Sequence, residues 1–307
     1  MISYVARGIR AFVCAVTLAG VMASPAIAEA SVSAQADPAD APLTPAQEQA
    51  RLEKLAVALK EEIGSTSAAG RVQAAASCPF SDTTLPVPTQ SWAGAATLGL
   101  SPASGCPGHW GYVATYPRRQ EQPYFCGVAT VQVVANYVWR VGAAANKWTQ
   151  TQIVAWTRTN GSGTSGSYES YGLNKATAGS PYVPPNWTYR NAYLSELANG
   201  GSSWHALLRT DISTYSMPQV VSVAPKDPNF GYFLHSWSDT RIKAQYAGHY
   251  IVLFGWDGVW DGTRGPIVQY DDSAVGPSGT ADSDPAYDMW QMIQKTNVNK
   301  SGIYIGW

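Results

Sequence analysis

The stretch Gln120-Glu-Gln-Pro-Tyr-Phe-Cys126-Gly127 constrains this chain more than any other. A turn-like, proline-containing run delivers a cysteine to the front of Gly-Val-Ala-Thr-Val-Gln-Val-Val-Ala-Asn-Tyr-Val-Trp (127–139), which reads as a helix. Apolar Val128, Val131, Val134, Ala135 and Val138 keep roughly helical spacing. Cys126 is therefore expected at a helix N-terminus, where the dipole and free N–H groups favour thiolate over thiol. The thiolate is the nucleophilic form. A small buried residue at a strand-to-helix junction would look the same, so this stretch leaves both readings open.

The surrounding composition narrows them. Basic and acidic residues nearly balance, 20 against 21, and no run of one sign points to nucleic acid or an anionic membrane. The first 28 residues read as a secretory signal peptide. Arg7 and Arg10 form the positive region, Ala11 to Ala23 the apolar core, and Ala26-Ile27-Ala28 the cleavage site. No other long apolar run follows, so the mature protein is expected to be exported, free of the membrane, and monomeric.

An oxidising compartment gives the cysteine count meaning. Cys14 leaves with the leader, and Cys78, Cys106 and Cys126 remain, an odd number. Cys78 and Cys106 both lie in loop-like sequence, and pairing them leaves Cys126 as a free thiol. A Cys106–Cys126 bridge would instead end the nucleophile reading.

Three segments follow from composition: the signal peptide (1–28), an N-terminal extension or pro-segment (29–77), and a main domain (78–307). In the extension, Thr44-Pro45-Ala46-Gln47 is a capping box that opens a helix expected to run to about Ile63. Leu52, Leu55, Leu59 and Ile63 form its apolar stripe. In the main domain, Trp148 to Trp156 suggests a helix capped by Thr149. Residues 159–187 read as a long surface loop, 190–198 and 203–212 as helices. Strands are expected at 217–223, 248–256, 266–272 and 301–307. Helices first and strands later indicate an α+β fold, with a helical half against an antiparallel sheet.

The candidate bases are His109, His205, His235 and His249. His249 opens the most apolar strand, which holds it rigidly, as general-base work requires. The next strand delivers Asp271 and Asp272. A carboxylate beside the imidazole fixes its tautomer and stabilises the imidazolium, and strand alternation lets only one of the two face His249. Asp282, Asp284 and Asp288 form an acidic group whose spacing matches no calcium loop. No metal or cofactor is expected.

The order Gln…Cys…His…Asp resembles that of papain-like cysteine peptidases, closest to the C39-like branch. The resemblance rests on Gln120-x5-Cys126-Gly127-x-Ala129, Trp204-x2-Leu207 ahead of Met217-Pro-x-Val-Val-x-Val, Gly248-His249-Tyr-Ile-Val-x-x-Gly-Trp-Asp, and Val-x-Tyr-Asp-Asp272-Ser-Ala. It implies Cys126 as nucleophile, His249 as general base and later acid, and Asp272, at the strand's exit, orienting His249. It further implies Gln120, rather than Gln122, as an oxyanion donor beside the Cys126 backbone N–H. Val128 stands where the family commonly has proline. The substrate class implied is a peptide or protein. A thiol amidase or transglutaminase-like acyltransferase would need the same constellation. A peptide- or glycan-binding module would instead use the aromatic residues, Trp256 and Trp260 among them.

Overall fold

The computed structural model describes residues 43–66, 110–192, 197, 200–224, 233–237, 248–257, 267–276, 278–296 and 303–306. The expected signal peptide (1–28), Cys78, Cys106, His109 and Trp260 lie outside the described residues.

The architecture is α+β. A buried helix, α2 (Cys126–Val138), is flanked by α3 (Gln150–Thr157) and α4 (Gly166–Thr177). From Gly127 to Val138 every residue of α2 is buried, so it is a core helix rather than an amphipathic surface one. Its polar side chains are answered locally. Gln132 donates to the Trp148 carbonyl at 2.7 Å, and Asn136 donates to Asn146 at 2.9 Å.

The other half is an antiparallel sheet, seven-stranded among the described residues. Its strands are β1 (Trp110–Tyr112), β2 (Tyr189–Ala192), β3 (Gln219–Val223), β4 (His249–Asp257), β5 (Ile267–Asp272), β6 (Thr280–Pro285) and β7 (Ile303–Gly306). They run in the order β2-β7-β3-β4-β5-β6, and β1 pairs with β4 beyond the end of β3. Helix α5 (Gly201–Arg209) continues into a π turn at Thr210–Thr214, and α6 (Ala286–Thr296) follows β6 directly. Trp204 of α5 stacks on Trp290 of α6 at 5.8 Å.

Two expectations are corrected. Residues 166–177 form α4 instead of loop. Gly and Ser are poor helix formers, but packing decides here: a Cβ on Gly172 would stand 2.5 Å from Thr157 Cγ2, so only glycine lets α4 approach α3 this closely. Residues 190–192, read as the start of a helix, belong instead to strand β2, because β7, from the far end of the chain, supplies a pairing edge. Strand β6 and helix α6 were not read from the sequence.

The capping box at Thr44 and the cap at Thr149 are as expected, and the second is also a full capping box. Thr44 and Gln47 bond reciprocally, as do Thr149 and Gln152. The first opens α1 (Pro45–Thr66), which extends past Gly64. Its inward face is not centred where the leucine stripe suggested: Leu52 is 49% exposed, while Lys54 is 1% exposed. Lys54 pairs with Asp211 of the π turn and lies over the Trp187 ring at 4.7 Å. Asp211 also accepts from Gln219 at 2.6 Å. Gln219 pairs with Leu253, whereas Val223, the other end of β3, pairs with His249. The anchor of α1 thus sits at the end of β3 away from His249.

Candidate active site

Cys126 is the first residue of α2. The segment before it turns through a Phe125 N–H to Gln122 carbonyl bond of 3.0 Å, and Ala129 N–H then bonds Phe125 at 2.8 Å. No side chain caps this terminus. The remaining head N–H groups and the dipole therefore face the sulfur without a competing cap. Cys126 is a free thiol and partly exposed. Gly127 follows for a steric reason. A Cβ there would stand 2.4 Å from Glu169 Oε2 and 2.7 Å from Thr164 Oγ1.

The sheet brings the other two groups to the sulfur. Val252 pairs with Asp271, so Asp272 falls level with Ile251. That puts Asp272 on the same face as His249, and Asp271 on the opposite one. His249 is 2% exposed, and its Nε2 meets Asp272 Oδ1 at 2.8 Å. The ring's other nitrogen, Nδ1, is left for the hydrogen bond with Cys126. Asp272 is saturated by further donors: the Ala274 N–H (2.8 Å) on Oδ1, and Trp237 Nε1 (2.7 Å) and Ser236 Oγ (2.8 Å) on Oδ2. The Trp237 ring also lies 5.5 Å from the His249 ring.

The electrostatics follow from these contacts. Burial pushes the Cys126 thiol up, but the hydrogen bond and charge of His249, with backbone bonds from Tyr250 and Gly127, hold it below its ordinary value. Burial likewise pulls His249 down; the charge and hydrogen bond of Asp272, then Cys126, raise it to about 10. For Asp272 burial works upward and is outweighed by His249, Ala274 and Ser236, leaving the carboxyl below the usual range. All three directions favour a thiolate–imidazolium–carboxylate line.

Gln120 lies on a strap tied to the carboxylate arm. Its N–H donates to the Ser273 carbonyl at 3.1 Å, and Ser273 Oγ donates to Gln120 Oε1 at 3.2 Å. Its amide Nε2 donates to the Pro123 carbonyl at 2.8 Å. Arg119 bonds the Ala274 carbonyl. Buried Gln150 grips both flanks of Gln120. It accepts from Glu121 N–H at 2.8 Å and donates to the Arg119 carbonyl at 2.7 Å. Gln122 contributes only its carbonyl, to the turn ahead of Cys126.

The other candidates lie elsewhere. Asp271 is buried beside Thr115 and Arg118, and burial pushes it up to about 7. His205 sits between Trp204 and Trp256, where burial pulls it down to about 3. His235 pairs with Asp282 at 2.9 Å, and its N–H donates to Asp284 at 3.0 Å. Trp256 is 4% exposed and bonds Ser213, so it packs instead of lining a groove. The sequence reading missed Ser236, Trp237, Gln150 and Glu169. Only the capped start of α3 hinted at Gln150, and the other three stood in unremarkable polar sequence.

A search of curated proteins returned no match to this chain. The family model described as Peptidase C39 like family matches residues 112–297, a span that begins at the last residue of β1 and contains Cys126, His249 and Asp272. With an α+β fold and that match over more than half its length, the chain belongs to the peptidase C39-like family of papain-like cysteine peptidases.

Proposed function

We propose that this protein is an exported cysteine peptidase, acting as a monomer, that hydrolyses peptide bonds in peptide or protein substrates through a thioester acyl-enzyme. The observation that carries the reading is the continuous line from Cys126 through His249 to Asp272, at the uncapped head of a buried helix. The leader-like sequence of residues 1–28 supports export.

In this reading the Cys126 thiolate attacks the scissile carbonyl carbon, and the C=O electron pair moves onto oxygen. The Cys126 backbone N–H and the Gln120 amide stabilise that oxyanion. Gln120 turns its amide from the Pro123 carbonyl to do so. Collapse of the intermediate breaks the C–N bond, and the leaving amine takes the proton from His249 Nδ1. Neutral His249 then takes a proton from water, whose oxygen attacks the thioester carbon. A second collapse expels the Cys126 thiolate and releases the acid, leaving the proton on His249. Asp272 stays ionised throughout and holds the ring with Nε2 toward itself.

The test is hydrolysis of a mixed peptide library by the wild-type protein and by Cys126→Ala, with product masses read in the presence of an added primary amine. Free-acid products that vanish in the variant, with folding unchanged, support the proposal. Turnover that persists in the variant removes Cys126 from the reaction. Amine-capped products in place of acids would make the protein an acyltransferase.

A further inference from the structure

Glu169 lies on α4 with 0% exposure and is used by no step above. Its Oε1 is 2.7 Å from Thr130 Oγ1, and the same Thr130 oxygen is 2.7 Å from the Gly127 carbonyl. A hydroxyl has one proton to give, and a carbonyl can only accept. One Thr130 proton cannot serve both acceptors at 2.7 Å, and both short contacts are hydrogen bonds at once when Thr130 donates to Gly127 and a protonated Glu169 donates to Thr130.

The second oxygen points the same way. Among the described residues Glu169 Oε2 has no hydrogen-bond partner, and it closes against Gly127, beside Thr164. Thr164 is not bonded to it; its hydroxyl is engaged instead in a chain with Thr159 and Thr157. Thr157 donates to the Ile153 carbonyl (3.2 Å), Thr159 meets Thr157 (2.7 Å), and Thr164 meets Thr159 (2.6 Å). A carboxylate held here would keep one oxygen neither solvated nor paired, which is costly.

We propose that Glu169 is a positioning residue held as the neutral acid, its proton completing a Glu169–Thr130–Gly127 chain that braces the turn carrying Cys126. The proposal rests on the reading of Cys126 as a nucleophile. Its physical sense is that an anion packed behind the head of α2 would oppose both the helix dipole and His249 in stabilising the thiolate. Burial raises Glu169 well above the carboxylate range, and the nearby charge of Cys126 adds to the rise. Cys126 is the ionisable group facing it from α2, with His249 of β4 behind the sulfur. The segment ahead of α4 presents the Thr164 hydroxyl, and Tyr250 of β4 donates to the Thr164 carbonyl at 3.2 Å.

Two measurements on the full-length mature protein test this. The first is the infrared carbonyl band of a protonated carboxylic acid at neutral pH, compared between wild type and Glu169→Gln. The band is expected in wild type and lost in the variant; no difference would overturn the neutral acid. The second is the alkylation rate of Cys126 across pH. Glu169→Gln, whose amide can donate to Thr130, is expected to keep the wild-type profile. Glu169→Ala is expected to be slower by about tenfold, the size of one lost hydrogen bond. If Gln is as slow as Ala, or Ala matches wild type, the positioning role is wrong. A wild-type Cys126 that resists alkylation would count against the peptidase reading instead, while the infrared result would stand by itself.

Discussion

Asp272 carries its carboxylate to His249 on one face of β5, while Asp271, the residue before it, is buried on the opposite face beside Thr115 and Arg118. Two adjacent acids therefore carry opposite shifts: Asp272 is held below the usual carboxylate range and Asp271 is raised to about 7. They pull stability in opposite directions with pH.

For Asp271 the unfolded value is about 3.9. Between there and about 7 the folded protein holds a proton the unfolded chain has lost, so this residue lowers stability as pH rises through that window. Asp271→Asn cannot ionise and escapes the penalty. It is expected to raise the melting temperature over wild type at pH 8 and to change it little at pH 4. The gain at pH 8 corresponds to a penalty on the order of a few kcal/mol. Thermal melts at the two pH values check this, and a gain of equal size at both would contradict it.

Gly127 is held to glycine by the oxygens of Glu169 and Thr164. Gly127→Ala is expected to cost about 1–3 kcal/mol, as overpacking does, and to slow Cys126 alkylation. Gly161→Ala is the control, since a Cβ there meets nothing within 4 Å, and it is expected to stay within about 0.5 kcal/mol. Urea unfolding of both variants checks the contrast.

Gln150 holds the peptide groups on either side of Gln120. Gln150→Ala is expected to let the strap move and to lower kcat by about tenfold, with KM changing much less, as for an interaction needed only in the transition state. Steady-state kinetics on a cleaved peptide measure the split. A loss confined to KM would assign the strap to substrate binding.

Lys54 and Asp211 form a buried ion pair that fastens α1 to the π turn after α5. Lys54→Ala leaves the Asp211 charge buried without its cation and is expected to cost about 3–5 kcal/mol. The double variant Lys54→Met, Asp211→Asn is expected to recover most of that, since no charge is then stranded. Hydrogen exchange of α1 amides, read alongside urea melts, tests whether the loss is felt in that helix. An additive double variant would contradict the coupling.

Much of the fold was legible because its strongest signals are local. The periodicity of residues 126–138, the capping box at Thr44, the cap at Thr149 and the apolar run from His249 each survive in the structure. What escaped was set by partners distant in sequence. Residues 189–192 are strand only because Ile303–Gly306 lies beside them. The helix at 166–177 stands on contacts with α2 and α3, against its own propensity. In the site, the sequence supplied Cys126, His249 and both aspartates, and strand register separated Asp272 from Asp271. Ser236 and Trp237 were invisible, because nothing in a polar loop says that it folds over a carboxylate on another strand.

The central claim is that Cys126 is a thiolate at neutral pH, paired with His249. Alkylation of Cys126 on the purified mature protein, mapped by mass spectrometry from about pH 5 to 9, tests it most directly, because an ordinary thiol titrates near ~8.5. Rapid labelling well below that value, suppressed by His249→Ala, is the predicted result. Labelling that rises only near the ordinary thiol value, or that ignores the loss of His249, would contradict it.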